Sequence, residues 1–389
     1  MATLTANNTS TSNTFAGTAN GNIKPGSVSK VPLRNLLYTG ATTKIYAHIM
    51  GWWGSPSHVN VGYNSTDPTQ ALRQVQDMIS RGIDGTIVDW YGPDDTFIDG
   101  AMQAIKSAAE QNSGFEFAVC EDWGALRTAP DVNAKLIADV TYIYNTYEQS
   151  PNYMRKGGRP VIFLFGEEQL NINWPQVIAS VPGNPLFIWE NAGGFTMPGS
   201  SGGYGWIGLT NNPNDMGLAY LDDFYNNAVA HVGEHAFGAP YKGFDDSIAS
   251  WGSNRKLNQQ CGQTWLATFA DISKHYSASN QLENIQIPTW NDYEEGTEIE
   301  SGIDNCVSIA ASVSGQTLNW VISGQENTID HYNVYVSSDG QNMSPLGEVP
   351  AGTHSMNLSG YQLPPGQVAL YVEAVGQPGM MNHLSGPAS

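Results

Sequence analysis

Ile285-Gln-Ile-Pro-Thr-Trp-Asn-Asp-Tyr-Glu-Glu-Gly-Thr-Glu-Ile-Glu300 joins a short apolar run to a dense group of rings and acids. The run reads as a buried strand that ends at Pro288. Trp290 to Glu295 then holds Asp292, Glu294 and Glu295 together with Trp290 and Tyr293. Carboxylates this close raise one another's pKa, so the segment is either solvated surface or a place where chemistry is done.

Outward from this stretch the same rhythm recurs. Lys44 to Trp53 is a β-branched and aromatic run ending in Gly51-Trp52-Trp53-Gly54. Asp67-Pro68 then supplies an N-cap and a first helical position for an amphipathic helix through Leu72, Val75, Met78 and Ile79. Gly85 to Tyr91 repeats the strand, followed by a helix from Thr96 to Gln111. Phe115 to Trp123 repeats it again, before a helix opened by Asp131 and carrying Leu136, Val140, Ile143 and Tyr147. Arg159 to Glu168, Pro185 to Asn191, Tyr204 to Leu209, Ala236 to Asp246 and Asn284 to Asn291 complete eight strand candidates, each separated by a segment that can hold a helix. Apolar strands alternating with helices imply a parallel sheet covered by helices, and eight repeats close a (β/α)₈ TIM barrel. An open doubly wound sheet is excluded: Gly51-Trp52-Trp53-Gly54-Ser55-Pro56 puts bulky rings where a phosphate loop needs glycine.

After Asp304 short alternating strands take over, over Thr317–Ile322, His331–Ser337 and Val368–Val375. Ser338-Asp339-Gly340 and Leu363-Pro364-Pro365-Gly366 mark turns between them. This segment resembles a fibronectin type III or related all-β sandwich, with Trp320, Tyr332 and Tyr371 as expected core rings. The expected organisation is a flexible Thr/Asn/Ser-rich leader over 1–40, the catalytic barrel over 41–304 and the sandwich over 305–389.

Lys and Arg number 16 against 36 Asp and Glu, a net charge of −20 in a 389-residue chain. Such a surface repels phosphate backbones and anionic membranes, so no nucleic acid or membrane partner is expected. Aromatic residues make up 11% of the chain, including 11 Trp and 18 Tyr. Flat rings with polar edges suit amphipathic ligands such as sugars. Three cysteines are too few for a disulfide scaffold, and at most one pair can bridge. The leader resembles the mature start of an exported protein, so the expected location is extracellular.

Acids and rings recur at the strand ends, where barrels bind their ligands. Asp89-Trp90-Tyr91, Glu121-Asp122-Trp123, Glu167-Glu168, Glu190-Asn191, Tyr241 with Asp245-Asp246, and Asp292 to Glu295 all fall there. Singly, each reads as a helix cap or a loop acid; together they form a ring that pairs hydroxyls with carboxylates and sugar faces with aromatics. Glycosidic cleavage needs a proton donor and a second carboxylate, and Asp292 and Glu295 are spaced to flank one bond. No Gly-x-Ser-x-Gly elbow or His-Glu-x-x-His pattern is present. No metal or cofactor is expected, and His48 reads as a packing residue.

Thr289-Trp-Asn-Asp-Tyr-Glu-Glu-Gly296 resembles the strand-eight motif of glycoside hydrolase family 71, the fungal α-1,3-glucanases, and the Asn-Glu-Trp-x-Glu-Gly motif of family 99, the endo-α-mannosidases. Gly51–Gly54 and Asp89–Gly92 are similar to those families' first two strand ends. The resemblance implies Asp292 as the base-like carboxylate, Glu295 as the acid, and an α-glucan or α-mannan substrate cleaved internally. Asp292 matches family 71, whereas Glu294-Glu295-Gly296 matches family 99. The expected substrate-binding set is Trp52, Trp53, Asp89, Trp90, Tyr91, Glu121, Trp123, Glu167, Glu190, Tyr241, Asp245, Trp290, Asn291 and Tyr293, with Glu294 a bystander. A monomeric hydrolase of neutral polysaccharide is the leading expectation. The alternatives are a hydrolase of a β-linked glycan, a non-catalytic carbohydrate-binding barrel, and Ca²⁺ held by the strand-eight acids.

Overall fold

The computed structural model describes Asn20, residues 27–363 and residues 368–389. Most of the expected leader, and the Pro364–Gly366 part of one expected turn, lie outside the described residues. Within the leader's described part, Val28 bridges to Met381 and Leu33 is fully buried.

Eight parallel strands form the barrel: β1 (Lys44–Met50), β2 (Gly85–Trp90), β3 (Glu116–Asp122), β4 (Arg159–Phe165), β5 (Leu186–Glu190), β6 (Ser200–Tyr204), β7 (His235–Gly238) and β8 (Asn284–Ile287). Each pairs with its neighbours in chain order, and β8 returns to β1 with Lys44 opposite Asn284, so no edge is left open. Helices α1 (Pro68–Ser80), α2 (Thr96–Glu110), α3 (Val132–Thr146), α4 (Trp174–Ser180), α5 (Leu218–Ala230) and α6 (Gln263–His275) cover it. Asp67, Asp95 and Asp131 accept backbone N–H groups at the starts of α1, α2 and α3, which fixes where each strand-end loop stops.

Strand parity organises both faces. Tyr46, Ile87, Cys120, Phe163, Ile188 and Phe237 point inward and fill the barrel. Their neighbours Ile45, Val88, Val119, Ile162 and Phe187 point outward under the helices. Three sequence expectations shift. The sixth strand is Ser200–Tyr204 and not Tyr204–Leu209, because Gly202 and Gly203 let β6 lie close to β7: a side chain at Gly202 would meet His235 O at 1.9 Å. The seventh strand stops at Gly238, and Phe244–Asp245 pairs separately with Lys256–Leu257. Between β5 and β6 there is a 3₁₀ turn, Ala192–Thr196, in place of a helix.

The C-terminal part is two antiparallel sheets. One holds β9 (Ser308–Ser314), β10 (Thr317–Ser323) and β13 (Ser355–Asn357). The other holds β11 (Ile329–Ser337), β12 (Ser344–Pro350), β14 (Ala369–Gly376) and the short strand His383–Leu384. Trp320 and Tyr332 meet in the shared core with ring centroids 5.3 Å apart. Tyr371 does not join them; β14 turns it to the opposite face, against Tyr335 and Met343. The sheets are fastened to the barrel by a Cys261–Cys306 disulfide, by Trp265 Nε1 donating to Pro378 O at 2.9 Å, and by Met380, which is buried in the barrel's helix layer.

Candidate active site

A cleft of about 380 Å³ opens at the C-terminal ends of the strands. It is lined by His48, Met50, Trp52, Asp89, Tyr91, Asp122, Trp123, Gly124, Arg127, Phe165, Trp206, Trp251, Asp292 and Glu295. Four carboxyl groups therefore share it with one guanidinium.

The loop after β8 is the most tightly built part. The Pro288–Thr289 peptide is cis. Trp290 N donates to His48 O at 2.6 Å, and the Asn291 side chain clamps Met50, accepting from its N–H at 2.8 Å and donating to its carbonyl at 3.1 Å. These bonds fasten the loop to the end of β1. Asp292 then caps a turn: its Oδ1 accepts from the backbone N–H of Glu294 and of Glu295, each at 3.0 Å. Glu295 O accepts from Asp245 N at 2.7 Å, which joins this loop to the one after β7. Asp246 braces that second loop by accepting from Ser253 N, Arg255 N and Arg255 Nε, and the loop carries the rim residue Trp251.

Burial raises the pKa of every cleft acid, since a charged carboxylate is poorly solvated there. Asp89 is pushed up to about 7. Asp122 is raised by burial and then by Asp89, while Gly124 N and Tyr91 hold it back with hydrogen bonds. Glu295 is lifted to about 7 by burial, opposed by Arg255 and by a hydrogen bond from Trp251. Asp292 is raised by burial and then by Glu295. The Asp292–Glu295 pair thus holds a proton near neutral pH. The two N–H donors on Asp292 Oδ1 oppose that rise without cancelling it, and the two carboxyls titrate as one coupled pair.

Of the residues expected from sequence, Trp52, Asp89, Tyr91, Trp123, Asp292 and Glu295 meet in the cleft. Trp123 leans over Gly166, where a side chain would come within 2.6 Å of its ring. The others stand behind or outside it. Trp90 faces the helices, donating from Nε1 to Asp99 at 3.1 Å and stacking on Tyr142. Glu121 is buried on the outer face of β3 facing Asp139. Trp53 packs edge-on against Tyr293, and Tyr293 OH donates to Glu300 at 2.8 Å. Trp290 is buried under Arg81, 4.8 Å from its ring. Tyr241 OH donates to Met216 O and Gly217 O, both at 3.1 Å, and supports the loop after β6. Asp245 accepts from Ser247 N and pairs with Lys256. Asn291 is the clamp on β1. Glu167 is buried in the turn after β4, and Glu190, at the end of β5, is lifted to about 8 by burial and then by Glu168; neither lines the cleft.

Asp122, Arg127, Phe165, Trp206 and Trp251 line the cleft outside the expected set, and so does His48, which the sequence reads as a packing residue. Parity could have found three of them: His48, Asp122 and Phe165 each lie two residues from an inward-pointing Tyr46, Cys120 or Phe163. Arg127 and Trp251 sit in loops that carry no periodic signal. Glu294, read as a bystander, is a buried partner of His58 Nδ1 at 2.8 Å and of Val59 N at 2.9 Å.

No protein-family model matches the chain, and comparison with curated proteins finds no match. Among solved structures, the family 99 endo-α-mannosidase from Bacteroides thetaiotaomicron in complex with bis-tris-propane superposes with a TM-score of 0.54 at 17% identity, covering 67% of this chain and 87% of that one. A second structure of that enzyme gives 0.53 at 17% identity, covering 67% and 88%. At this identity the likeness shows a shared barrel fold.

Proposed function

We propose that this chain is a glycoside hydrolase of a neutral polysaccharide, with Glu295 as the acid that protonates the leaving oxygen and Asp292 as the base-like carboxylate. The observation that carries the reading is the pairing of these two buried carboxyls on one braced loop, which together keep a proton near neutral pH, so that one can serve as the acid and the other as the base. Glycoside cleavage asks for that division of roles. Trp52, Trp123 and Trp251 offer faces and edges for sugar rings, and Asp89 and Asp122 offer acceptors for hydroxyls. The strand-eight motif, together with a fold shared with an endo-α-mannosidase, supports an α-linked mannan or glucan cut internally. The division into three and four antiparallel strands supports a fibronectin type III-like module over 305–389. The Cys261–Cys306 disulfide supports export to an oxidising compartment.

The test is product analysis on a panel of α- and β-glucans, mannans and xylans with wild type, Glu295→Gln and Asp292→Asn. Each substitution is expected to lower kcat by about 10²–10⁴ while leaving Tm unchanged. Wild-type turnover in Glu295→Gln would sink the assignment of the acid. Binding of a glycan by wild type without release of reducing ends would instead favour a non-catalytic carbohydrate-binding barrel.

A further inference from the structure

We propose that His48, Asp89 and Cys120 form a binding site for one thiophilic divalent cation, with Zn²⁺ the best match, at the floor of the cleft. The three residues point inward from adjacent strands. Asp89 is paired in register with Met50 on β1 and with Cys120 on β3, and His48 lies two residues before Met50 on the same face. One donor atom from each lies within 4.8 Å of the other two, and His48 Nε2 is 4.0 Å from Asp89 Oδ1. All three side chains are more than nine-tenths buried.

The imidazole is the telling group. His48 is 1% exposed, yet its Nδ1 has no hydrogen-bond partner, and the 4.0 Å approach to Asp89 is too long to be a hydrogen bond. Nε2 is the nitrogen that faces Asp89, at a separation that a shared cation would bridge, and a metal on Nε2 leaves Nδ1 as the N–H nitrogen. Imidazole, carboxylate and thiolate together are a zinc-type ligand set, whereas Ca²⁺ and Mg²⁺ take oxygen ligands. His48 and Asp89 line the cleft, so a fourth position opens to solvent. The surroundings favour a cation, with Asp122, Asp292 and Glu295 nearby and Arg127 the one opposing charge in the lining. Bonds of about 2.0–2.3 Å require the donors to draw in by roughly 1 Å, within reach of side-chain rotation. Binding converts the Cys120 thiol to a thiolate and displaces any proton carried by Asp89, so affinity rises with pH.

The disulfide consumes the other two of the three cysteines, which leaves Cys120 as the chain's sole free thiol. A thiolate signal from bound metal can therefore come from nowhere else. Full-length protein, stripped with a chelator, would be titrated with CoCl₂ and followed by absorption, then with ZnCl₂ by calorimetry. The expected result is a thiolate-to-cobalt charge-transfer band that saturates at one equivalent, and Zn²⁺ binding at one to one. Cys120→Ser should lose the band and bind Zn²⁺ about tenfold more weakly or worse, and His48→Gln should weaken binding to a similar degree. Cobalt binding to wild type without the band would overturn the proposal, as would the absence of a one-to-one site. Equal Zn²⁺ affinity in Cys120→Ser would place the ion on carboxylates alone and also overturn it. The wild-type spectrum decides the matter even if Cys120→Ser does not fold. None of these readouts depends on hydrolysis, so their failure leaves the glycosidase reading standing.

Discussion

Asp122 looks into the cleft beside Asp89 and Tyr91, whereas Glu121, one residue earlier on β3, lies between the barrel and α3 against Asp139. Asp89 and Trp90 divide in the same way on β2, the acid inward and the ring outward to Asp99 and Tyr142. The two layers are equally buried but chemically unlike. The inner one gathers carboxyls around an opening that a ligand can fill. The outer one is closed by helices, and its polar groups must satisfy one another. Position at a strand end therefore does not make a residue part of a site; the parity of that position does.

The largest expected effect tests the outer layer. Trp90→Ala deletes a fully buried ring together with its hydrogen bond to Asp99, and should cost about 3–5 kcal/mol of stability, read by urea unfolding. The folded fraction should keep the wild-type KM. A raised KM at unchanged stability would place Trp90 in the cleft and break the division.

The barrel itself is legible because eight strand candidates alternate with segments that can hold helices and seven of them end in acids or rings, a pattern that survives a shift in where any run stops. The sixth strand was misplaced because Ser200-Ser-Gly-Gly-Tyr204 has little strand propensity; it pairs because Gly202 allows close approach to β7. At the site, the strand-eight segment was read for its acids, and the structure adds the reason they sit still: Asn291 and Asp292 spend side-chain atoms on backbone groups. Glu121 and Asp122 are adjacent acids at one strand end, and composition alone does not separate them; only the parity of β3 turns Asp122 inward and Glu121 outward. Trp251 carries no signal in the sequence, since its place against Trp52 and His58 depends on Asp246 and Arg255 closing a loop on itself.

Glu121 offers a smaller test of the outer layer through pH. Burial, then Asp139 and Glu167, raise its pKa well above the ordinary range, while in the unfolded chain it titrates near about 4.3. A folded-state pKa above the unfolded value gives stability that is complete below the unfolded pKa and is lost as pH rises through the folded one. Two facing carboxylates can share a hydrogen bond only while one keeps a proton. Glu121→Gln removes that titration and supplies an N–H to Asp139. Its stability relative to wild type should therefore rise as pH increases from 5 to 8, followed as the difference in unfolding free energy. A gap that stays constant with pH would show that Glu121 is ionised in the fold and has a partner of another kind.

Trp123 supplies the matching test of the inner layer, with the smallest effect on the fold. Its ring lines the cleft, touches the Arg127 guanidinium at 5.3 Å and rests over Gly166, so little of the core depends on it. Trp123→Ala should leave the unfolding free energy within about 0.5 kcal/mol of wild type, as for a substitution outside the core. Losing one stacked sugar face should raise KM about tenfold, equivalent to the ~1.4 kcal/mol of a single aromatic contact. Trp123→Phe keeps a flat face and should recover part of that loss, which a merely structural role would not explain. The decisive result is the contrast with Trp90: two tryptophans from neighbouring strand ends, one changing stability without KM and the other KM without stability. If both moved the same quantity, the two layers would be one functional unit, and the inward-facing carboxyls would lose their separate claim to the substrate.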